Sequence, residues 1–224
     1  MVIVELRQYT LRPGARDVLI DLFDSWLIEP QEQAGMEIIG QFRDLDDPDR
    51  FVWLRGFRDM TSRARSLAAF YGGPEWKAHS EAANATMIDT DDVLLLRPAR
   101  PDSAFALDGD RVAPGGFVSA TVLQLDAPAD ETEIVSVFEQ SVAPAVRERG
   151  GSILGYFVTE ASENTFPSLP VRAGEQVFVW FAGFADRDGL DRASGSSTGH
   201  VLRLEPTSRS RLHGRMHTNS EEQR

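Results

Sequence analysis

The sequence contains no cysteine and no long apolar run. Disulfides, thiolate zinc sites, iron–sulfur clusters and a cysteine nucleophile are therefore excluded. A membrane-spanning helix needs about 18 or more consecutive apolar residues, and the start MVIVELRQYTLRPG has no basic segment followed by an apolar run, as a secretory leader would. We therefore expect a cytoplasmic protein without a membrane span.

Basic residues are also few. The 224 residues include 23 Lys plus Arg against 35 Asp plus Glu, which gives a formal net charge of −12. Such a chain repels the phosphates of a nucleic acid, so nucleic acid is not an expected partner.

Motifs for metals and cofactors are missing as well. His213 and His217 have i, i+4 spacing, but they lie in a polar C-terminal tail that we expect to be disordered. The aspartates between Asp44 and Asp49 are typical of a solvated turn rather than a calcium loop. There is no P-loop or GxGxxG sequence. We predict no metal and no cofactor.

The chain does contain an internal repeat. FVWLRGF at Phe51–Phe57 recurs as FVWFAGF at Phe178–Phe184, GMEIIGQF at Gly35–Phe42 matches GGSILGYF at Gly150–Phe157, and VLLLRP from Val93 matches VLRLEP from Val201. These segments are short and rich in β-branched and aromatic residues, which predicts strands. Helical periodicity follows the first strand of each copy and the third strand of the first copy. The order predicts an α+β protein made of two tandem ferredoxin-like (β-α-β-β-α-β) units.

Composition predicts the boundaries of these units. The first unit spans 1–98, a linker rich in Pro, Asp and Gly spans 99–116, a degenerate second unit spans 117–211, and the disordered tail spans 212–224. The second unit has a longer loop, at about 161–174, and a shortened second helix. One side of its sheet is therefore expected to be less covered.

Three segments of the first unit resemble a bacterial NIPSNAP-family domain: VELRQYTLRPG, IIGQFRDLDDPDRFVWLRGF and GGPEWKAHSEAANATMIDTDDVLLLRP. The resemblance implies the dimeric α/β-barrel superfamily, in which two ferredoxin-like sheets pair into a barrel. That superfamily includes cofactor-free monooxygenases, isomerases, dehydratases and heme-handling proteins, while NIPSNAP members mostly lack an assigned reaction. Tandem fusion implies a monomeric pseudo-dimer, and a homodimer stays an alternative.

Strand alternation separates two faces of the predicted sheet. One face is apolar and is expected to lie under the helices: Val4, Leu6, Ile38, Phe42, Val52 and Leu54. The other face is expected to line the barrel and carries the charges: Glu5, Arg7, Tyr9, Gln41, Arg43, Trp53 and Arg55. The matching positions of the second copy carry no charge: Ser119, Thr121, Leu123, Tyr156, Val158, Trp180 and Ala182.

These residues give the candidate site. Arg7, Arg43 and Arg55, together with Glu5, would bind an anionic or enolate-like ligand, with Arg55 also catalytic; the alternative is a structural ion network or a wet face.

His79 would move a proton as the second catalytic residue, or it is a packing residue of its helix. Tyr9, Trp53 and Tyr71 would shape the pocket, and Asn84 would orient a substrate oxygen; Tyr71 is equally explained as an aromatic contact between helices.

Two functions follow. The first is a cofactor-independent oxygenase, isomerase or cyclase that acts on a small anionic or enolisable compound. The second is a non-catalytic metabolite-binding or protein-interaction scaffold.

Overall fold

The computed structural model describes residues 3–107, 115–126, 130–195 and 199–214. The first unit consists, in chain order, of β1 (Ile3–Leu11), α1 (Arg16–Leu22), a π-helical turn π1 (Phe23–Leu27), α2 (Ile28–Gln33), β2 (Glu37–Asp44), β3 (Arg50–Phe57), α3 (Met60–Tyr71), α4 (Pro74–Thr86) and β4 (Met87–Pro98). The second consists of β5 (Phe117–Gln124), α5 (Glu131–Val137), π2 (Phe138–Val142), α6 (Ala143–Glu148), β6 (Ser152–Thr159), β7 (Val177–Phe184), α7 (Arg187–Ser194) and β8 (His200–Pro206). Within those ranges no helix is both long and apolar enough to cross a bilayer.

The strands form one closed barrel in the order β1-β3-β2-β8-β5-β7-β6-β4. Each unit contributes four adjacent antiparallel strands, and the units meet at two seams, β2 with β8 and β4 with β6. The seams have matching registers, because Phe42 lies opposite Pro206 and its repeat equivalent Phe157 lies opposite Pro98. The predicted fold, two ferredoxin-like units paired as an α/β-barrel, is confirmed.

The barrel interior is apolar. It is filled from both units by Val4, Leu6, Ile39, Phe42, Val52, Leu54, Leu94, Leu96, Val118, Ala120, Val122, Phe157, Val177, Val179, Phe181, Leu202 and Leu204. The predicted orientation of the sheet is therefore wrong. The face of Val4 and Leu6 points into the barrel, and the charged face of Glu5 and Arg7 lies under the helices.

The helices pack on the outer face of the sheet, and local signals start them. Asp59 caps α3 by accepting a hydrogen bond from the Ser62 amide at 2.6 Å, and Asp186 caps α7 in the same way through Gly189 at 2.7 Å. Pro74 begins α4, where a missing N–H is tolerated. Beneath the first unit's helices lies a core that includes Leu19, Phe23 and Trp53.

Both Gly-x-Phe sequences mark a β-bulge. The pairing of β2 with β3 shifts between Ile38 and Gly40, and a Cβ on Gly40 would lie 2.6 Å from the Phe42 ring. Gly155 is equally confined by Phe157, at 3.0 Å. Each glycine thus leaves room for the phenylalanine that fills the barrel. The bulge also moves Ile38 to the helix side, against the predicted alternation.

The segments that follow β4 and β8 close the barrel. Phe105 lies 4.8 Å from Phe157 and 5.0 Å from Phe181, ring centre to ring centre, and Leu212 joins the same core. The predicted linker thus packs up to at least Phe105, and Leu212, predicted to start the tail, is buried. The remainder of that tail, 215–224, and linker residues 108–114 lie outside the described residues.

Candidate functional site between the first sheet and its helices

Four charged side chains meet beneath the helices of the first unit. Glu5 and Arg7 lie on β1, Arg55 lies opposite Glu5 on β3, and Arg63 comes down from α3. One Glu5 oxygen, Oε2, accepts from Arg7 Nη1 and from Arg55 Nε, both at 2.7 Å. The other, Oε1, accepts from Arg63 Nε at 2.6 Å. We call these four residues the charge cluster.

The charge cluster is completely buried, with all four residues at 0% exposure. Burial alone would raise the pKa of Glu5, but the charges of Arg55, Arg7 and Arg63 outweigh it and hold that pKa well below its ordinary range. Glu5 is therefore ionised at neutral pH. A cation–π contact also stabilises the buried arginines, since the Arg55 guanidinium carbon lies 5.0 Å from the centre of the Trp53 ring.

Positive charge is in excess. Three guanidinium groups share one carboxylate, which leaves a formal excess of two positive charges on side chains without surface exposure. Within the described ranges, the Nη2 atoms of Arg7, Arg55 and Arg63 and the Trp53 indole N–H have no hydrogen-bond partner. Buried donors and charges without partners are costly. The cluster is therefore suited to a further anion or acceptor nearby.

An aromatic cavity of about 210 Å³ lies beside the cluster. It is lined by Tyr9, Leu19, Phe23, Leu27, Gln31, Trp53, Phe70, Tyr71, Trp76, Asn84, Met87, Ile88, Thr90 and Leu169. Phe23 and Leu27 are the two ends of π1, and such turns are frequent at functional sites.

Tyr9 and Gln31 connect the cavity to the charge cluster. Arg7 Nε donates to the Tyr9 hydroxyl oxygen at 2.9 Å, and Arg55 Nη1 donates to Gln31 Oε1 at 3.2 Å. Burial raises the pKa of Tyr9, against the opposing charge of Arg7, so Tyr9 is a neutral phenol. Because its oxygen accepts from Arg7, its own O–H can donate to a molecule in the cavity, with the charge of Arg7 behind it.

The structure brings together most of the predicted site residues. Tyr9, Trp53, Tyr71 and Asn84 line the cavity, and Glu5, Arg7 and Arg55 form the charge cluster behind it.

Two predicted residues lie elsewhere. Arg43 pairs at 2.8 Å with Asp17, which is largely exposed. His79 is not among the cavity-lining residues; its ring stacks on the exposed ring of Trp26, with 4.7 Å between ring centres.

The prediction missed Arg63 and Gln31. Arg63 precedes Leu67 and Phe70 by four and seven residues, so its helical position is on their apolar face. An arginine on that face is a signal that helical periodicity could have revealed. Gln31 had no comparable signal, because its role depends on contact with a distant strand.

The NIPSNAP family model matches residues 4–101. Residues 4–101 are therefore similar to the NIPSNAP family, and we call the first unit the NIPSNAP domain. The match covers the charge cluster and every cavity-lining residue except Leu169. A comparison with curated proteins finds no match.

Similar solved structures include one that aligns with part of the chain. An uncharacterized NIPSNAP domain protein from Burkholderia xenovorans is 18% identical, with 47% of this chain and 99% of that chain covered and a TM-score of 0.41.

Two structures cover both units. A protein from Lactobacillus acidophilus, described as "putative monooxygenase", is 14% identical over 91% of this chain and 93% of that chain, with a TM-score of 0.55. One from Fusobacterium nucleatum with the same description is 8% identical over 91% of each chain, with a TM-score of 0.56. At these identities they show a shared fold.

Among the residues that the structure describes, the second unit has no equivalent of the NIPSNAP domain's charge cluster. The strand registers place Ser119, Thr121 and Ala182 where the NIPSNAP domain has Glu5, Arg7 and Arg55. A cavity of about 230 Å³ is lined by Ser119, Thr121 and Trp180 among others, and its one charged lining residue is Arg149. The two cavities thus have similar volumes, but the second lies beside no buried cluster of arginines.

The cavity of the NIPSNAP domain has no acid–base side chain in its wall. Its lining residues include no histidine, aspartate or glutamate. Within the described ranges, no group of three or more such side chains could hold a metal ion either. The polar groups that the wall offers are phenols, carboxamides, a hydroxyl and indole N–H groups, which bind and polarise a ligand but do not remove its proton near neutral pH.

Proposed function

We propose that the NIPSNAP domain binds a small, flat, anionic or enolisable compound in the cavity beside the charge cluster. The observation that carries the proposal is the excess of buried positive charge, which Tyr9 and Gln31 connect to an aromatic cavity. A ligand oxyanion that accepts a hydrogen bond from the Tyr9 hydroxyl would lie within the electrostatic field of Arg7 and Arg55. Donors fixed in a dry site stabilise developing negative charge much more strongly than water does.

The volume indicates the size of the ligand. An apolar protein cavity of about 150 Å³ holds benzene, so a cavity of about 210 Å³ has room for one ring with one or two small substituents. Six aromatic side chains in its wall favour a flat ring: Tyr9, Phe23, Trp53, Phe70, Tyr71 and Trp76. Benzoate and acidic cyclic 1,3-diketones combine this size with a negative charge near neutral pH. Simple phenols have the same size and a hydroxyl that is neutral near pH 7.

The proposed reaction class is cofactor-independent chemistry on the bound anion: oxygenation, isomerisation or cyclisation. Since the wall carries no base, a compound that reaches the cavity already ionised, such as an acidic enol, is the favoured substrate. The two structures that cover both units and are described as "putative monooxygenase" make oxygenation the first reaction to assay.

The missing base also favours a second candidate, a protein that binds the same anion without turning it over. The two candidates differ in one measurement. Incubation of the protein with 1,3-cyclohexanedione in air, followed by mass spectrometry and an oxygen electrode, yields an oxidised product and oxygen uptake if the protein is an oxygenase. Binding without either, and without an isomeric or cyclised product, supports the metabolite-binding role.

Binding itself is tested by quenching of tryptophan fluorescence, because Trp53 and Trp76 line the cavity. We expect benzoate to quench the wild type saturably. Tyr9→Phe removes one hydrogen bond to a charged group and should weaken binding about tenfold or more. Asn84→Trp, which places a bulky ring at an exposed position of the wall, should abolish binding while the protein stays folded.

Thr121→Ala is the matched control. Thr121 occupies the Arg7 position of the second unit, so its variant should bind benzoate within about twofold of wild type. Equal weakening by Tyr9→Phe and Thr121→Ala, or no quenching by benzoate, phenol or 1,3-cyclohexanedione, would refute the proposed site.

A further inference from the structure

A loop of the second unit covers the cavity of the NIPSNAP domain. Residues 160–176 connect β6 to β7, whereas the equivalent connection of the NIPSNAP domain is only 45–49. Both ends of the long loop are fixed to β4: the Glu160 amide donates to Leu95 O at 2.8 Å and the Arg172 amide donates to Val93 O at 2.9 Å. The loop therefore belongs to the second unit by sequence and to the first unit's site by contact.

Three partly buried side chains of the loop, Asn164, Phe166 and Leu169, contact the domain. Thr165 adds a hydrogen bond to Met60 O at 3.1 Å, and Arg172 pairs with Asp92 at 3.1 Å. The Phe166 ring stacks on Tyr71, with 5.9 Å between the ring centres and 24° between the planes. Leu169 is part of the cavity wall. Neighbouring residues, such as Pro167 and Ser168, are exposed. The loop thus closes one side of the cavity with an aromatic and an aliphatic side chain.

Asn164 connects this closure to the charge cluster. Its Oδ1 accepts from Arg63 Nη1 at 2.9 Å and from the Phe166 amide at 3.1 Å, and its Nδ2 donates to Leu169 O at 2.9 Å. One side chain therefore holds the backbone on both sides of the loop's inward turn and fastens it to the arginine that binds Glu5.

We propose that Leu169 determines the length of the ligand that the NIPSNAP domain accepts, and that Asn164 is the positioning residue that holds Leu169 over the cavity. The proposal rests on the proposed function, and it assigns a role to the second unit. That unit lacks a charge cluster and instead supplies the closing wall of its neighbour's site.

The length selection is tested with benzoate and its 4-methyl, 4-ethyl and 4-propyl derivatives as probes, by tryptophan quenching on the full chain. Wild type should prefer the short members. Leu169→Ala removes side-chain volume from the wall and should shift the preference toward the longer members, by about fourfold for each methylene that the new space buries. Leu169→Phe should shift it the opposite way. Ser168→Ala, on the exposed side of the loop, should keep the wild-type order.

The role of Asn164 is tested by the rates of binding. Asn164→Ala removes the three side-chain hydrogen bonds that hold the inward turn of the loop, while the backbone hydrogen bonds to β4 and those of Thr165 still hold its ends and middle. Stopped-flow quenching should therefore show benzoate leaving at least tenfold faster from a protein that stays folded. A residue that only stabilised the fold would lower the melting temperature without changing the rates. Asn164→Asp keeps an acceptor for Arg63 but loses the donor to Leu169 O, and it should release benzoate at an intermediate rate.

The outcomes separate this inference from the function on which it rests. If wild type binds no benzoate of any length, both are overturned. If wild type binds benzoates but Leu169→Ala and Leu169→Phe keep its order of preference, the proposed function stands and the role of Leu169 is overturned. Wild-type release rates in Asn164→Ala overturn the positioning role of Asn164.

Discussion

Glu5 is the residue on which the buried charges of the NIPSNAP domain converge. Each of its oxygens accepts short hydrogen bonds from arginine, and the side chain has no exposure to solvent. Strand alternation predicts that Glu5, Arg7 and Arg55 share a face, as they do. It does not predict the third arginine, because Arg63 reaches Glu5 from a helix through a tertiary contact.

Replacing Glu5 by glutamine should therefore be severe. The variant leaves three buried guanidinium groups without a carboxylate, and breaking a buried ion pair costs about 3–5 kcal/mol. Urea unfolding would measure the loss. The control is Asp17→Asn, which removes the exposed partner of Arg43 and should cost less than about 1 kcal/mol. Equal stability losses in the two variants would contradict a dominant role for the charge cluster.

The stability loss caused by Glu5→Gln should depend on pH. The folded-state pKa of Glu5 lies below its unfolded value, so its ionisation stabilises the fold fully above the ordinary glutamate pKa of about 4.3. This stabilisation is lost progressively as pH falls below that value. The difference in unfolding free energy between wild type and Glu5→Gln should be constant between about pH 6 and 8 and shrink below about pH 4. A difference that grows on acidification would be contrary to this assignment.

At the scale of elements, the repeat and the order of strands and helices followed from the sequence, because each strand carries its own local signal. The orientation of the sheet did not. Alternation identifies which side chains share a face, and the helices can cover either face. The decisive facts are tertiary: Arg63 and Gln31 from the helices supply partners for strand charges, while the barrel interior is filled by apolar groups from both units.

The capping aspartates of the two units allow a matched test at this scale. Asp59 and Asp186 both accept an amide hydrogen bond at the start of the helix that follows the third strand. The backbone hydrogen bond from Ser62 lowers the pKa of Asp59. Asp59→Ala should lower the melting temperature and weaken benzoate binding, because α3 carries Arg63 and Tyr71. Asp186→Ala should lower the melting temperature only. Loss of binding in both variants would show a general effect of instability.

At the scale of the whole molecule, the second unit completes the first. It covers the apolar inner face of the first sheet and pairs with both of its edge strands, β2 and β4. Its own sheet has lost the charges that would make a second anion site, and its long β6–β7 loop lies on the neighbouring cavity. The duplicated unit therefore contributes barrel closure and one wall of the site.

The symmetry of the two seams predicts the behaviour of the first unit alone. A fragment of residues 1–107 has unpaired edges at β2 and β4 and an uncovered apolar face, which together are a template for self-association. Because the seams have the same register, two fragments can rebuild the barrel by pairing β2 of one with β4 of the other, with Phe42 opposite Pro98 of the partner subunit. We expect a homodimer by light scattering, and a stable monomer would contradict this account of closure.

The dimer would carry the short 45–49 connection in place of the loop with Leu169, so it should bind benzoates with little discrimination by length.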